Sequence, residues 1–452
     1  MDSFLRRIFA ALDQAAITYA LLRGIEELER PAERSEVDLL VSPEHLPLLA
    51  KTLAEKGFVA LPAWGHAPHY FFVAYDRAAG TWLKFDVVTD LRYGSPFRTL
   101  RLDLAETCLR RRQRREFVYV LSPADEFFTL FLHCLLDKGN FREARRDRLI
   151  ELHRELRNDE AEAKNVAEYF ERYVAPVLTW QMVTKALAAD DWLALLKCRR
   201  VVARRFFWRN PLMSAWRQIS TIVLRRTRPL LFALRQRGFS VALLAPDGAG
   251  KSTLAKELTR DAYLRARLIY MGTNIDASTV GLPTSRWLHE QLKARRNGTT
   301  KKKSLPRIIL KGAAFVNRLV EQWYRAGVAI GHLLRGRLVV FDRYIYDSWL
   351  NKPPATAWKR LRRKLFESLC PRPGLVILLD APGQMLFERK GEHTPEWLEK
   401  QRRAYLALQD HVPQMRIVDA TQQAEAVKRE VTAMIWRQQG LRGRKSWFHK
   451  EN

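Results

Sequence analysis

Apolar residues are distributed along this 452-residue chain in two different patterns. Up to about Tyr119, short runs rich in aromatic and β-branched residues ("EVDLLV", "HYFFVAY", "WLKFDVV", "EFVYV") alternate with helical periods such as "EHLPLLAKTLAEKG". That alternation predicts an α+β domain. From Ser122 to about Ala189 the spacing turns helical, and "SPADEFFTLFLHCLLDKG" opens on a serine N-cap with Asp125 and Glu126 in the first turn. Further on, "SVALLA", Leu338–Phe341 and "GLVILLDAP" are uninterrupted apolar runs, as strands covered on both faces of a parallel sheet require. The stretch "STLAKELTRDAYL" reads as a helix behind the first of these, and "GQMLFERKGEHTPEWLEKQRRAYLALQD" as a charged helical segment behind the last. The expected divisions are 1–120, 121–189 (a helical extension), 190–237 (a basic helical linker), 238–440 (a second, α/β domain) and 441–452 (a basic tail).

Charge sharpens that division. Residues 1–185 hold 27 Lys+Arg against 28 Asp+Glu, so the whole net charge of +29 comes from the remainder of the chain. Much of the excess lies in Cys198–Gly238 and in "KARRNGTTKKK", Lys293–Lys303. Such patches attract polyanions: nucleotide phosphates, nucleic acid or an anionic membrane surface. With 47% hydrophobic residues the chain can bury more than one core. Cys108, Cys134, Cys198 and Cys370 are scattered, which excludes a disulfide framework or a cysteine metal knuckle. The N-terminus has no signal-peptide core, and no 18-residue uncharged apolar run occurs; the expectation is a cytoplasmic, at most membrane-peripheral, location.

The densest chemistry follows "SVALL". Ala245, Pro246, Asp247, Gly248, Ala249, Gly250, Lys251 and Ser252 match the phosphate-cradle pattern G-x-x-x-x-G-K-[ST], except that alanine stands at the first glycine. Glycine permits the backbone angles that aim successive N–H groups at phosphate oxygens, and the helix N-terminus adds favourable partial charge. Lys251 would then reach the β- and γ-phosphates, Ser252 would ligand Mg²⁺, and Thr253 suits the α-phosphate. A second apolar run ends in Asp342-Arg343-Tyr344. At the carboxyl end of a parallel strand Asp342 would support Mg²⁺ or its waters, and Arg343 would grip an acceptor phosphate or the transferring group through its fork of donors.

The order of "APDGAGKST", "VVFDRY", "VILLDAP" and "LFERKGE…EWLEKQRRAYLAL" over about 238–440 resembles the thymidylate-kinase branch of the nucleoside monophosphate kinases. The resemblance implies a P-loop parallel sheet flanked by helices, ATP with Mg²⁺, and phosphoryl transfer to an acceptor beside the loop. It also implies that Asp247 contacts the acceptor sugar, that Arg343 holds the acceptor phosphate and that Arg389 enters a lid. Arg389, Lys390, Arg402 and Arg403 are the candidates for stabilising the transferred charge, and the choice among them is left open. Two stretches depart from the family: "IYDSWLNKPP", Ile345–Pro354, stands where a serine and Ala-Tyr-Gln are usual, and "LIYMGTN", Leu268–Asn274, where Arg-Glu-Pro-Gly is usual. The ATP site is thus expected to outlast a changed acceptor, which is left open as a nucleoside monophosphate, a sugar or a sugar phosphate.

Tyr19–Val41 and Trp82–Val88 resemble the nucleotidyltransferase fold, in which an Asp-x-Asp pair on one strand meets a third aspartate. Residues i and i+2 of a strand share a face, so Glu36 and Asp38, joined by Asp86, would surround metal ions, with glutamate in place of the first aspartate. Fusions resembling this one are associated with bacterial cell-surface polysaccharide assembly. The alternative to the kinase reading is a nucleotide-binding scaffold or a nucleotidyltransferase acting in such assembly. In 190–237, arginines interleave with Phe206, Phe207, Trp208 and Trp216; the plain expectation is helices with their aromatics turned inward, and the sharper one is contact with an anionic membrane. The remaining partner expectations are a nucleotide, a small-molecule acceptor and a second copy of the chain, without specific nucleic acid.

Overall fold

The computed structural model describes residues 3–25, 34–63, 65–235, 238–272, 307–350, 361, 370–412 and 414–447. The basic run Lys293–Lys303 and Asn351–Pro354 lie outside the described residues. The chain divides into two compact units, Met1–Arg228 with Gly440–Asn452, and Pro229–Gln439.

In the first unit the strands are β1 (Tyr19–Arg23), β2 (Arg34–Val41), β3 (Val59–Leu61), β4 (His69–Asp76), β5 (Thr81–Val88), β6 (Leu91–Tyr93), β7 (Leu100–Leu102), β8 (Gln113–Arg115) and β9 (Val118–Val120). Seven of them form one mixed sheet in the order β3-β4-β5-β2-β1-β9-β8, and β6 pairs with β7. Helices α1 (Ser3–Gln14) and α2 (Leu46–Glu55) share a core with one face of the large sheet through Phe9, Leu12, Leu49 and Phe85. On the other side a second core gathers α3 (Ala105–Arg110), α4 (Pro123–Leu132), α5 (Glu143–Arg157), α6 (Glu160–Tyr173), α7 (Trp180–Ala188), α8 (Trp192–Lys197) and α9 (Arg199–Arg209) around Phe127, Phe128, Phe131 and Phe170. The Ser122 side chain caps α4 by accepting from Asp125 N, so the expected helix start coincides with the observed one. Beyond Leu132 the helix widens into a π-helical stretch, His133–Lys138, that stops at Gly139 in a left-handed conformation.

Helix α10 (Pro211–Arg235) leads to the second unit. There β10 (Ser240–Leu244), α11 (Lys251–Arg260), β11 (Arg267–Tyr270), α12 (Arg307–Leu334), β12 (Val339–Asp342), β13 (Leu375–Asp380), α13 (Gly383–Lys390), α14 (Pro395–Leu406), β14 (Met415–Asp419) and α15 (Ala424–Trp447) follow in turn. The five strands are all parallel in the order β11-β12-β10-β13-β14. Every residue of β10 and β12 is buried, which accounts for the unbroken apolar runs. Successive connections leave β10 flanked by β12 on one side and β13 on the other, so the crevice at their carboxyl ends is the topological switch point where such sheets bind ligands.

Two stretches differ from the expected pattern. The charged segment after β13 is two helices rather than one, because Gly391 (φ +68°) ends α13 and the Thr394 side chain caps α14 by accepting from Trp397 N, with Pro395 in the first turn. In the basic segment Phe206 is buried, but Trp208 is 70% and Trp216 64% exposed; the aromatics there do not all turn inward. Among the described residues no helix is long and apolar enough to cross a membrane.

Candidate active site

The loop Ala245–Gly250 leaves the carboxyl end of β10 and enters α11 at Lys251. Its two glycines have φ of +91° (Gly248) and +82° (Gly250), in the left-handed region that side-chain-bearing residues avoid. Gly248 also passes so close to α13 that a Cβ there would lie 2.6 Å from the Leu386 carbonyl oxygen. Pro246 and Ala249 are buried beneath the turn, whereas Ser252 and Thr253 face outward at the helix start.

Lys251 is only 7% exposed, and its Nζ lies 4.0 Å from Asp342 Oδ1. Burial, reinforced by the Arg343 charge, holds the Lys251 amine below its usual range; Asp347, Asp342 and Asp247 pull the other way. Ser252 Oγ donates to Asp342 Oδ2 at 3.0 Å. Asp342 Oδ1 is buried without a hydrogen-bond partner among the described residues. A buried polar atom left in that state calls for a reason, and a carboxylate oxygen beside a hydroxyl and an ammonium group fits a hard cation with phosphates.

Arg343 follows directly. Its φ of +64° is strained for a residue with a side chain, and its Nη2 donates to Asp247 Oδ1 at 2.6 Å. Nη1 lies 3.8 Å from Asp347 Oδ2, while Tyr405 OH donates to Asp347 Oδ1 at 3.1 Å. Burial pushes the Asp347 carboxyl up, against the opposing charges of Lys251 and Arg343. Asp347 and Tyr405 are site residues that the motifs did not single out. The buried pair Glu321–Arg325 is another: Arg325 Nη1 donates to the carbonyls of Tyr270 (3.3 Å) and Gly272 (3.1 Å), fixing the end of β11. The i,i+4 Glu–Arg spacing in "EQWYRAG" was its one visible signal.

The four cations expected to stabilise transferred charge separate. Arg389 donates to Ala420 O at 2.8 Å, Arg402 grips Asp380 with two bonds of 2.7 and 2.9 Å, Lys390 meets Glu392, and Arg403 is 79% exposed. The turn between α13 and α14 brings carboxylate and imidazole atoms of Glu392 and His393 within 4.8 Å of Asp247.

In the first unit, the parallel pairing of β2 with β5 sets Asp38 opposite Asp86 and Glu36 opposite Lys84. Ligand atoms of Glu36, Asp38 and Asp86 lie within 4.8 Å of one another. Each carboxylate also has its own cation or imidazole: Lys84 for Glu36, Arg23 for Asp38 (2.7 Å) and His69 for Asp86 (2.6 Å). Burial would raise the Asp86 carboxyl, but His69, Arg98 and Lys84 more than offset it and hold it below its ordinary value.

A fully parallel sheet whose switch point carries a glycine turn, a buried lysine and a strand-end aspartate gives the second unit a P-loop α/β fold. Residues 246–431 match the family model described as thymidylate kinase. A probable thymidylate kinase of Pyrococcus horikoshii is 27% identical over 211 residues, covering 44% of this chain and 96% of that protein. One from Archaeoglobus fulgidus is 33% identical over 110 residues, 23% of this chain and 55% of the relative. The thymidylate kinase of Xylella fastidiosa is 26% identical over 198 residues, 42% of this chain and 83% of the relative. Among solved structures, thymidylate kinase from Candida albicans covers 45% of this chain and 93% of its own at 19% identity, with a TM-score of 0.32. The family match and the curated relatives give this chain a thymidylate-kinase-like P-loop kinase domain, and residues before 246 lie outside the family match.

Proposed function

We propose that the P-loop unit transfers the γ-phosphoryl group of ATP, with Mg²⁺, to a small-molecule acceptor that is a nucleoside monophosphate, a sugar or a sugar phosphate. The observation that carries this reading is the convergence of Lys251, Ser252 and Asp342, with one buried Asp342 oxygen unpartnered among the described residues. Bound Mg·ATP supplies the phosphoryl group and a divalent charge on its oxygens. The glycine turn supplies backbone donors, Lys251 supplies a desolvated positive charge, and Ser252 with Asp342 forms the oxygen pair that would hold the ion. Arg343 then positions the acceptor. Its strained backbone and its contacts with Asp247 and Asp347 hold the guanidinium beside the turn, where Glu392 and His393 of the α13–α14 turn also approach Asp247. Since phosphoryl transfer depends on positioning and electrostatics, the unusual Ile345–Trp349 segment beside Arg343 bears on the choice of acceptor more than on the ATP site.

The test is incubation of the full chain with γ-labelled ATP, Mg²⁺ and a panel of thymidylate, other nucleoside monophosphates, sugars and sugar phosphates. Labelling of one acceptor, lost by about a thousandfold or more in Lys251→Ala, supports the reading. ATP binding with no labelled acceptor would leave a nucleotide-binding scaffold in its place. Thymidylate as best acceptor would overturn the argument from Ile345–Pro354. A second reading, nucleotidyl transfer by the first unit, draws support from the close approach of Glu36, Asp38 and Asp86. It requires pyrophosphate release that survives Lys251→Ala but not Asp38→Asn.

A further inference from the structure

Helix α10 is amphipathic in the reverse of the usual sense. Its polar side packs on the first unit: Ser214 is 2% exposed, and Arg225 donates to Gly65 O at 3.0 Å with its guanidinium 5.1 Å from the Phe97 ring centroid. Helix α10 presses so near Gly65 that a Cβ on that glycine would meet the Arg225 side chain at Cγ (2.6 Å), with the backbone Arg225 N at 3.1 Å and Thr221 O at 3.3 Å. The opposite side carries Leu212 (83% exposed), Trp216 (64%), Ile219 (56%) and Val223 (51%). The spacing i, i+4, i+7, i+11 makes these four one continuous stripe. On the preceding helix, α9, Trp208 is 70% and Val201 50% exposed. A large contiguous apolar surface of this kind marks a binding face, in contrast to the single exposed leucines of ordinary surfaces.

Charge selects the occupant. From Cys198 to Gly238 there are eleven arginines and no Asp or Glu. Arg200, Arg204 and Arg209 on α9, and Arg226 one turn beyond Val223, are exposed along the same helices. Docking a second copy through this face would set arginine against arginine with no acidic partner in the segment. A polynucleotide would set its charged, hydrated backbone against the apolar Leu212, Ile219 and Val223 of the row, which offer it no polar group. An anionic bilayer answers both features, since acyl chains take the apolar row and lipid phosphates take the guanidinium groups.

We propose that the outward face of α10, with the adjoining surface of α9, docks the protein on an anionic lipid membrane, with Leu212, Trp216, Ile219 and Val223 inserted at the headgroup boundary. The full chain is mixed with vesicles of phosphatidylcholine alone, or with about one-third phosphatidylglycerol, and the bound fraction is measured by flotation. The expected result is binding to the anionic vesicles, strong at about 0.05 M salt and mostly lost at about 0.5 M. The double variant Trp216→Glu/Ile219→Glu should partition at least about tenfold more weakly, and Arg200→Ala/Arg204→Ala/Arg226→Ala should lose roughly fivefold per arginine. All these positions are exposed, so unchanged circular dichroism and Mg·ATP affinity verify folding. Wild-type protein that stays unbound with anionic vesicles at low salt would overturn the proposal, as would equal partitioning of the double variant. A dimer in sedimentation equilibrium that Trp216→Glu/Ile219→Glu dissociates, without vesicle binding by wild type, would assign the face to a second copy instead.

Discussion

Replacing Gly248 and Gly250 one at a time by alanine separates two costs that the turn combines. Both have positive φ (+91° and +82°), so each alanine incurs the left-handed penalty of about 1–2 kcal/mol, partly offset by about 0.4–1 kcal/mol from a less flexible unfolded chain. The new Cβ of Gly250→Ala has nothing within 4 Å, whereas that of Gly248→Ala would lie 2.6 Å from the Leu386 carbonyl oxygen. A backbone oxygen inside a helix cannot rotate away, so α13 or the turn must shift, adding about 1–3 kcal/mol of overpacking strain. Gly250→Ala should therefore cost about 1 kcal/mol and Gly248→Ala about 3 kcal/mol, a gap of roughly thirtyfold in the folding equilibrium. Denaturant unfolding, followed without nucleotide through the transition that Mg·ATP shifts in the wild type, measures both. Equal losses for the two variants would refute the reasoning, because they would mean that Leu386 does not constrain the turn.

Asp342→Asn should lower Mg²⁺-dependent turnover by about a hundredfold or more while leaving metal-free ATP affinity within about threefold; an unchanged Mg²⁺ titration would contradict the role given to Asp342. Arg343→Ala should reduce kcat/KM for the acceptor by about 10²–10³ with the calorimetric Kd of ATP unaffected, and a loss confined to ATP binding would count against it. In the first unit, burial and the Arg23 charge hold His133 down at about 4. Its folded value lies below the unfolded one, so its contribution is complete above about pH 6.5 and is lost as pH falls towards 4, about 3 kcal/mol in all. His133→Gln should flatten that slope in unfolding measured between pH 7 and 4.5, and an unaltered slope would sink the assignment.

Those features that are local in sequence could be read directly. The cradle turn, its flanking strand and helix, and the aspartate-arginine pair at a strand end are contiguous, and full burial of β10 and β12 leaves an uninterrupted apolar signature. What escaped depends on distance. Tyr405 reaches Asp347 across 58 residues, and nothing in either neighbourhood announces the other. The alternation along β2 put Glu36 and Asp38 on one face, but their approach to Asp86 comes from pairing with β5. The break at Gly391 was written in "GEHTPEW" as a glycine stop and a Thr-Pro start, although the run of charges on both sides concealed it. In 190–237 composition alone could not decide which side of each helix meets the domain; Gly65, far away in sequence, does that by letting Arg225 approach.

The first unit is assembled from two stretches of chain, with Pro229–Gln439 lying between them. During synthesis the ribosome must therefore release the entire kinase portion before the earlier unit receives its last helical turns. Gly440, 3.1 Å from the Val59 side chain by its would-be Cβ, sits well inside α15. A nonsense change after β14 would consequently injure the end of the molecule that was made first, and a fragment cut to isolate the kinase must sever a continuous helix.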